Sequence, residues 1–512
     1  MPAPPRRRIL VLAILGLAGS LLPIRRAECK PSSWTGYARN AQHSALASVR
    51  TQPLARIRWQ TPVDLAPQYS GEDLFIHYGS PLVTQQNTVV VPVKTGATGG
   101  FRVEGHRGRD GLLLWTLASD YVLPPHDWTP SFSPALSQAG RLWVPAGGGT
   151  VYRRTNANSK SAPATRLAFY GIDRYLADPA TYQAQVMINT PITADRHGNV
   201  FFGFQVGGAT QAALASGIAR ISARGAGSWM SAAQIAADSS ITKLAHNSAP
   251  ALSNDEKTLY VAVNDGGGFG AAAGYLVALD SDTLAPLARV RLKDPTSGLD
   301  ADVHDDATSS PTIGPDGDVY FGVLETPFLS NHARGWLLHF DPALVVKGPP
   351  GAFGWDDTPS IVPSTMVASY GGSSSDLLMT KYNNYVEGGG DGVNRIAVLD
   401  PNDQMVDPIS GATVMREVLT VAGPTPDEEF LPAHPGAVRE WCINTAAVDP
   451  RTRSVLANNE DGVLYRWDMT SGSLSESITL TSGIGEAYTP TVVGPDGTVY
   501  AINNATLFAV GR

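Results

Sequence analysis

Eight times along the chain a small residue opens an apolar stretch that leads through a turn into a second apolar run. The clearest copies are Ser310-Pro311-Thr312-Ile313-Gly314-Pro315-Asp316-Gly317-Asp318-Val319-Tyr320 and Thr489-Pro490-Thr491-Val492-Val493-Gly494-Pro495-Asp496-Gly497-Thr498-Val499-Tyr500. Looser copies begin at Ser80-Pro81, Ser133-Pro134, Thr190-Pro191, Ala249-Pro250, Ser364-Thr365 and Thr445-Ala446. Their starts lie roughly 45 to 80 residues apart, mostly 50 to 60, which is the spacing of propeller blades rather than of helical repeats. The repeats therefore predict one all-β domain, a single eight-bladed β-propeller, in place of the several domains that 512 residues would otherwise suggest.

Each repeat reads as a four-stranded blade. In the fifth, Thr312-Ile313 is the inner strand, Pro315-Asp316-Gly317 the turn, Val319 to Val323 the second strand and Gly335 to Phe340 the third. Third strands end in an apolar residue followed by Asp: Leu279-Asp280, Phe340-Asp341, Leu399-Asp400 and Trp467-Asp468. An aspartate there accepts hydrogen bonds from its own turn, a structural task. The last repeat is short of one strand, whereas Ala55 to Val63 is a strand without a blade. That segment is expected to supply the outer strand of blade eight and so close the ring.

Ahead of the ring, Arg6-Arg7-Arg8 precede an apolar run from Ile9 to Leu22, which reads as a secretory signal peptide. The predicted division is a signal at 1–20, with cleavage as late as 27 the alternative, and a propeller at 29–512. A secreted or periplasmic monomer without an integral membrane segment is expected after cleavage, a retained N-terminal anchor being the other reading. The two cysteines, Cys29 and Cys442, are then expected to pair as one disulfide or to remain two thiols. A net charge of −8, with no Lys/Arg block in the body of the chain, argues against a phosphate-tracking nucleic-acid binder.

Residues just before each inner strand converge on one mouth of a propeller channel, where small-molecule sites form. Those positions carry His77, His126 and Asp127, His246 and Asn247, His304 with Asp305 and Asp306, Asp356 and Asp357, Glu440, and Glu486. Four of the ten histidines are among them. Such a set can hold a metal, run acid–base chemistry, or only solvate loop ends. Asp300, Asp302, Asp305 and Asp306 alternate as oxygen ligands for calcium would, although the EF-hand glycine and glutamate are missing. Lys381, between Leu377-Leu378-Met379 and Tyr382-Asn383-Asn384-Tyr385, suits either an anion or a loop cap. Standard nucleophile, nucleotide and zinc-protease signatures do not occur.

The segment Gly105-His106-Arg107-Gly108-Arg109-Asp110-Gly111-Leu112-Leu113-Leu114-Trp115 resembles the tryptophan-docking repeat of quinoprotein (PQQ-type) propellers, Gly111 and Trp115 matching and Arg107 replacing an Asp. The resemblance implies the eight-bladed fold over essentially the whole mature chain. It implies two kinds of function, because that family holds both dehydrogenases and cofactor-free assembly factors of the outer membrane. The adjacent cysteine pair of the PQQ alcohol dehydrogenases is missing, as is a haem attachment motif, which speaks against PQQ. Two expectations result: an exported binding or scaffold protein recognising a protein or extracellular ligand on one face, or a metal- or PQQ-dependent periplasmic oxidoreductase with its site at the mouth.

Overall fold

The computed structural model describes residues 1–2, 33–71, 74–130, 132–306, 309–483 and 488–512. The signal segment and Cys29 lie outside these, as does Glu486. Eight antiparallel sheets form in chain order, one per repeat. The first blade is typical, with strands Leu82–Val83, Thr88–Gly96, Gly99–Arg107 and Leu113–Ser119 running from the channel outward. Second strands such as Val319–Val323 and Ser454–Asn458 are buried at every residue because they pack against neighbouring blades on both faces.

The ring closes as its sequence requires. Arg56–Pro62 pairs antiparallel with the last strand, Thr506–Gly511, and becomes the outer strand of blade eight. Trp59, in that strand, reaches across to blade one. Its indole Nε1 donates to the Gly108 carbonyl at 2.8 Å, and its ring lies over Gly111, where a Cβ would stand 2.8 Å from it. Gly111 also takes φ +73°, so the position needs glycine twice over. Trp115 repeats the same docking one blade on, donating to the Ala157 carbonyl at 2.8 Å beneath the Arg154 guanidinium.

The Ser/Thr-Pro starts of the repeats link neighbouring blades around the channel. Ser133 Oγ accepts from the Ser80 amide at 3.2 Å, Ser310 Oγ from the Ala249 amide at 2.9 Å, and Thr358 Oγ1 from the Ser310 amide at 3.0 Å. Proline at the next position removes a donor that this crowded centre could not satisfy. Two expectations are corrected here. The sixth inner strand is Ser360–Pro363, after Thr358-Pro359, so the repeat begins there and Ser364–Met366 is a single turn beyond it. The fifth blade has three strands, Thr312–Ile313, Val319–Val323 and Trp336–Phe340, with only the bridges Leu337–Gly351 and Phe340–Val346 along its outer edge. The apolar-Asp turns are as expected, Asp280 accepting from the amides of Asp282 and Thr283, and Asp468 from those of Thr470 and Ser471.

One end of the channel is closed by the chain itself. Residues 34–52 cross the ends of the inner strands, accepting from the amides of Val83, Leu136, Leu252, Ile313, Ile361 and Val448 at 2.7 to 3.1 Å. Ala38, Arg39, His43 and Ala45 all take positive φ to follow this path, a strained course that the surrounding bonds hold in place. Tyr37 donates to Asn444 and shares a 2.9 Å hydrogen bond with Thr358, while His43 Nδ1 donates to the Pro311 carbonyl at 2.7 Å. Trp59→Ala should lower unfolding stability by about 3–5 kcal/mol, read as the denaturant midpoint, because it empties the contact that joins blade eight to blade one. Trp59→Phe, which keeps the ring packing and loses the indole hydrogen bond, should cost less than half as much.

Candidate functional site at the channel mouth

The opposite end of the channel is ringed by the loops that precede the inner strands, and the predicted residues gather there in three groups. In the first, Lys381 is fully buried, and its Nζ stands 2.8 Å from Asp356 Oδ2. The same ammonium lies 5.4 Å from the Tyr488 ring centre and 5.7 Å from that of Phe353. Burial pulls the lysine pKa down, but the charges of Asp356, Cys442 and Asp357 outweigh it and hold the ammonium protonated. Asp357 accepts from Thr380 Oγ1 and from the Lys381 amide; burial pushes its carboxyl up to about 7. Lys381 is therefore an ion-paired anchor of the sixth blade rather than an exposed anion receptor.

His77 Nδ1 meets Asn247 Nδ2 at 3.0 Å, and its ring stacks on Trp128 at 5.2 Å and stands edge-on to Tyr488 at 5.6 Å. Burial, helped by the Lys381 charge, lowers it to about 3, so it is neutral. His246 is neutral for the same first reason, lowered to about 4, and meets Gln205 Oε1 at 3.0 Å. Asp305 pairs with Lys243 and accepts from the His246 amide; burial raises its carboxyl, but its His246 and Lys243 neighbours and the Asn264 hydrogen bond outweigh that and lower its pKa.

The second group joins two blades. Asp127, His304 and Asp306 place one ligand atom each within 4.8 Å of one another. Asp306 Oδ1 accepts from the Trp128 amide at 3.3 Å, and its Oδ2 lies 3.4 Å from His304 Nδ1. Burial raises the Asp306 pKa. The alternate aspartates do not converge. Asp300 is paired with Arg291 and Lys293, Asp302 accepts the amides of Gly270 and Ala272, and Asp305 is taken by Lys243. Only Asp306 stays with the cluster. His126 stands beside the group with Nδ1 on the Pro124 carbonyl at 2.6 Å.

In the third group Cys442 Sγ lies 3.4 Å from Glu460 Oε2 and 3.9 Å from Glu440 Oε2, and burial raises Glu460 to about 7. Glu460 was missed in the sequence because it sits on the turn after a second strand, not before an inner one. Aromatic residues were missed too: Phe75, Trp128 and Tyr488 on one side, Phe269, Phe328 and Trp355 on the other. Phe75 and Trp128 had a signal in their place in the same loops as His77 and His126; the others lie in loops without a predicted histidine.

No family model and no curated protein sequence matches the chain. Among solved structures it is similar to a europium-containing methanol dehydrogenase at 10% identity and TM-score 0.55, over 92% of this chain and 89% of that one. It is similar to the quinohemoprotein alcohol dehydrogenase from Comamonas testosteroni at 12% identity and TM-score 0.55, over 95% and 82%. A further quinohemoprotein alcohol dehydrogenase, from Pseudomonas putida HK5, gives 12% and 0.53 over 94% and 76%. Likeness at this identity is one of fold: the chain shares the propeller architecture of these dehydrogenase structures.

The donor set of the mouth does not suit PQQ, which carries three carboxylates. Among the described residues Lys381 and Lys243 are already bound to Asp356 and Asp305, while Asp127 and Asp306 have no lysine or arginine ion pair.

Asp357 gives the site a pH signature. Its folded value, about 7, lies above the 3.8 of an ordinary aspartate, so its contribution is fully present below about pH 3.8 and is lost as pH rises through about 7. Asp357→Asn retains an acceptor for Thr380 and Lys381 but cannot ionise. The variant should gain melting temperature relative to the parent between about pH 5 and about pH 8, measured as the difference between the two melting curves.

Proposed function

We propose that this chain is an exported binding propeller whose working surface is the channel mouth, and that the mouth takes a small, positively charged ligand. The observation that carries this reading is the Asp127–His304–Asp306 cluster, contributed by two blades at the open end and without a lysine or arginine counter-charge among the described residues. Export is inferred from the N-terminal segment, Arg6 to Leu22.

A second reading, acid–base catalysis on the bound ligand, draws on Glu460. A carboxyl raised to about 7 beside the buried Cys442 thiol is suited to move a proton near neutrality. PQQ chemistry is not part of either reading, given the acidity of the mouth.

A cation that binds only the folded protein must raise its melting midpoint, by an amount worth about 2.7 kcal/mol at a hundredfold excess over its dissociation constant. Melts with calcium chloride, with a panel of alkylamines and with PQQ should show a rise for a cation, none for PQQ, and loss of the rise in Asp306→Asn. Failure of every cation to move the midpoint would overturn the reading and return attention to a protein partner on a propeller face.

A further inference from the structure

Two aromatic clusters flank Asp306. On one side Trp128 contacts Phe75 at 4.8 Å, His77 at 5.2 Å and Tyr488 at 5.1 Å between ring centres. On the other, Phe269 contacts His304 at 5.1 Å, Phe328 at 4.9 Å and Trp355 at 5.8 Å. The two are linked through the carboxylate itself, which accepts from the Trp128 amide and lies against the His304 ring. The rim is open: Phe75 is 38%, Phe269 48% and Phe328 41% exposed. Water-facing rings around a pair of carboxylates have no use in packing.

Resting on the cation reading above, we propose that the ligand is organic: a quaternary alkylammonium group, held by Asp127 and Asp306 and by the rings of Trp128 and Phe269. A hard divalent ion seeks six to eight oxygens, and the cluster offers two carboxylates and one imidazole whose Nδ1 already accepts the Asp306 amide at 3.2 Å. Aromatic rings add nothing for such an ion. A quaternary alkylammonium has the opposite needs: its charge is spread over carbon-bound hydrogens, it gives up water easily, and it is attracted to ring faces. The fold holds a related arrangement around a buried primary ammonium. The Lys381 ammonium sits between a carboxylate and the rings of Phe353 and Tyr488, and Tyr488 is shared with the Trp128 cluster above it.

The test is a calorimetric and tryptophan-fluorescence titration of the purified full chain with three probes. These are choline, its uncharged isostere 3,3-dimethylbutan-1-ol, and calcium chloride. Choline should bind about tenfold or more tighter than the isostere, and Asp306→Asn should remove that preference. Trp128→Leu should weaken choline to a similar degree. Phe269→Leu, at a half-exposed position where folding is not at stake, should weaken it as well and serves as the check if the Trp128 variant does not fold. Equal binding of choline and isostere would overturn the ammonium proposal in favour of an apolar pocket. Calcium binding without choline binding would overturn the organic class while leaving the cation-seeking mouth standing. Binding of neither would remove both.

Discussion

The inner strands present a row of backbone groups to the channel with no further strand to pair them. That constraint organises the molecule. A buried amide without an acceptor costs about 1–3 kcal/mol, so a ring of such edges needs partners. The chain meets the demand with its own early residues, 34–52, whose carbonyls take the amides of six inner strands. The strained dihedrals at Ala38, Arg39, His43 and Ala45 are the cost of threading one segment past so many donors. Because this segment fills one end, the histidines and carboxylates of the loops all face a single opening.

Charge in that opening is arranged in depth. Lys381, buried against Asp356, fixes a positive centre, which adds to burial in keeping the neighbouring His77 neutral. Nearer the rim the balance turns acidic, with Asp127 and Asp306 lacking a lysine or arginine partner among the described residues. A buried ion pair contributes little net stability, and removing one partner is costly. Its presence here is best understood through the position it gives to Asp357, Thr380 and the aromatic rings around it.

Blade number, ring closure and the aspartate-capped turns were legible because each rests on local chemistry that repeats: Ser/Thr-Pro before an inner strand, Asp-Gly in a tight turn, Asp after a third strand. The sixth repeat was misplaced at Ser364-Thr365 because hydroxyl residues and prolines surround the true start, Thr358-Pro359, on both sides. The closing segment 34–52 was not legible as a plug, since it has no period and its partners lie hundreds of residues away. The mouth was half legible. Position before an inner strand pointed to Asp127, His304 and Asp306, which lie together, but alternation along Asp300 to Asp306 pointed to four aspartates where neighbouring strands, through Arg291 and Lys243, claim two of them. Glu460 and the aromatic rim needed the three-dimensional arrangement.

The pairing of Arg56–Pro62 with Thr506–Gly511 sets an order of events. The strand made first waits for the strand made last, and every blade must be in place before the two can meet. Trp59 then locks a seam that spans nearly the whole length of the chain. Contacts of such long range bring slow, late closure, since the entropy of joining distant segments is lost before the contact rewards it. Until the ring shuts, both edges of the unfinished sheet stack are open to other chains. Any machinery that handles this protein must hold it through that interval, and a chain truncated by even its final strand would leave that seam open permanently.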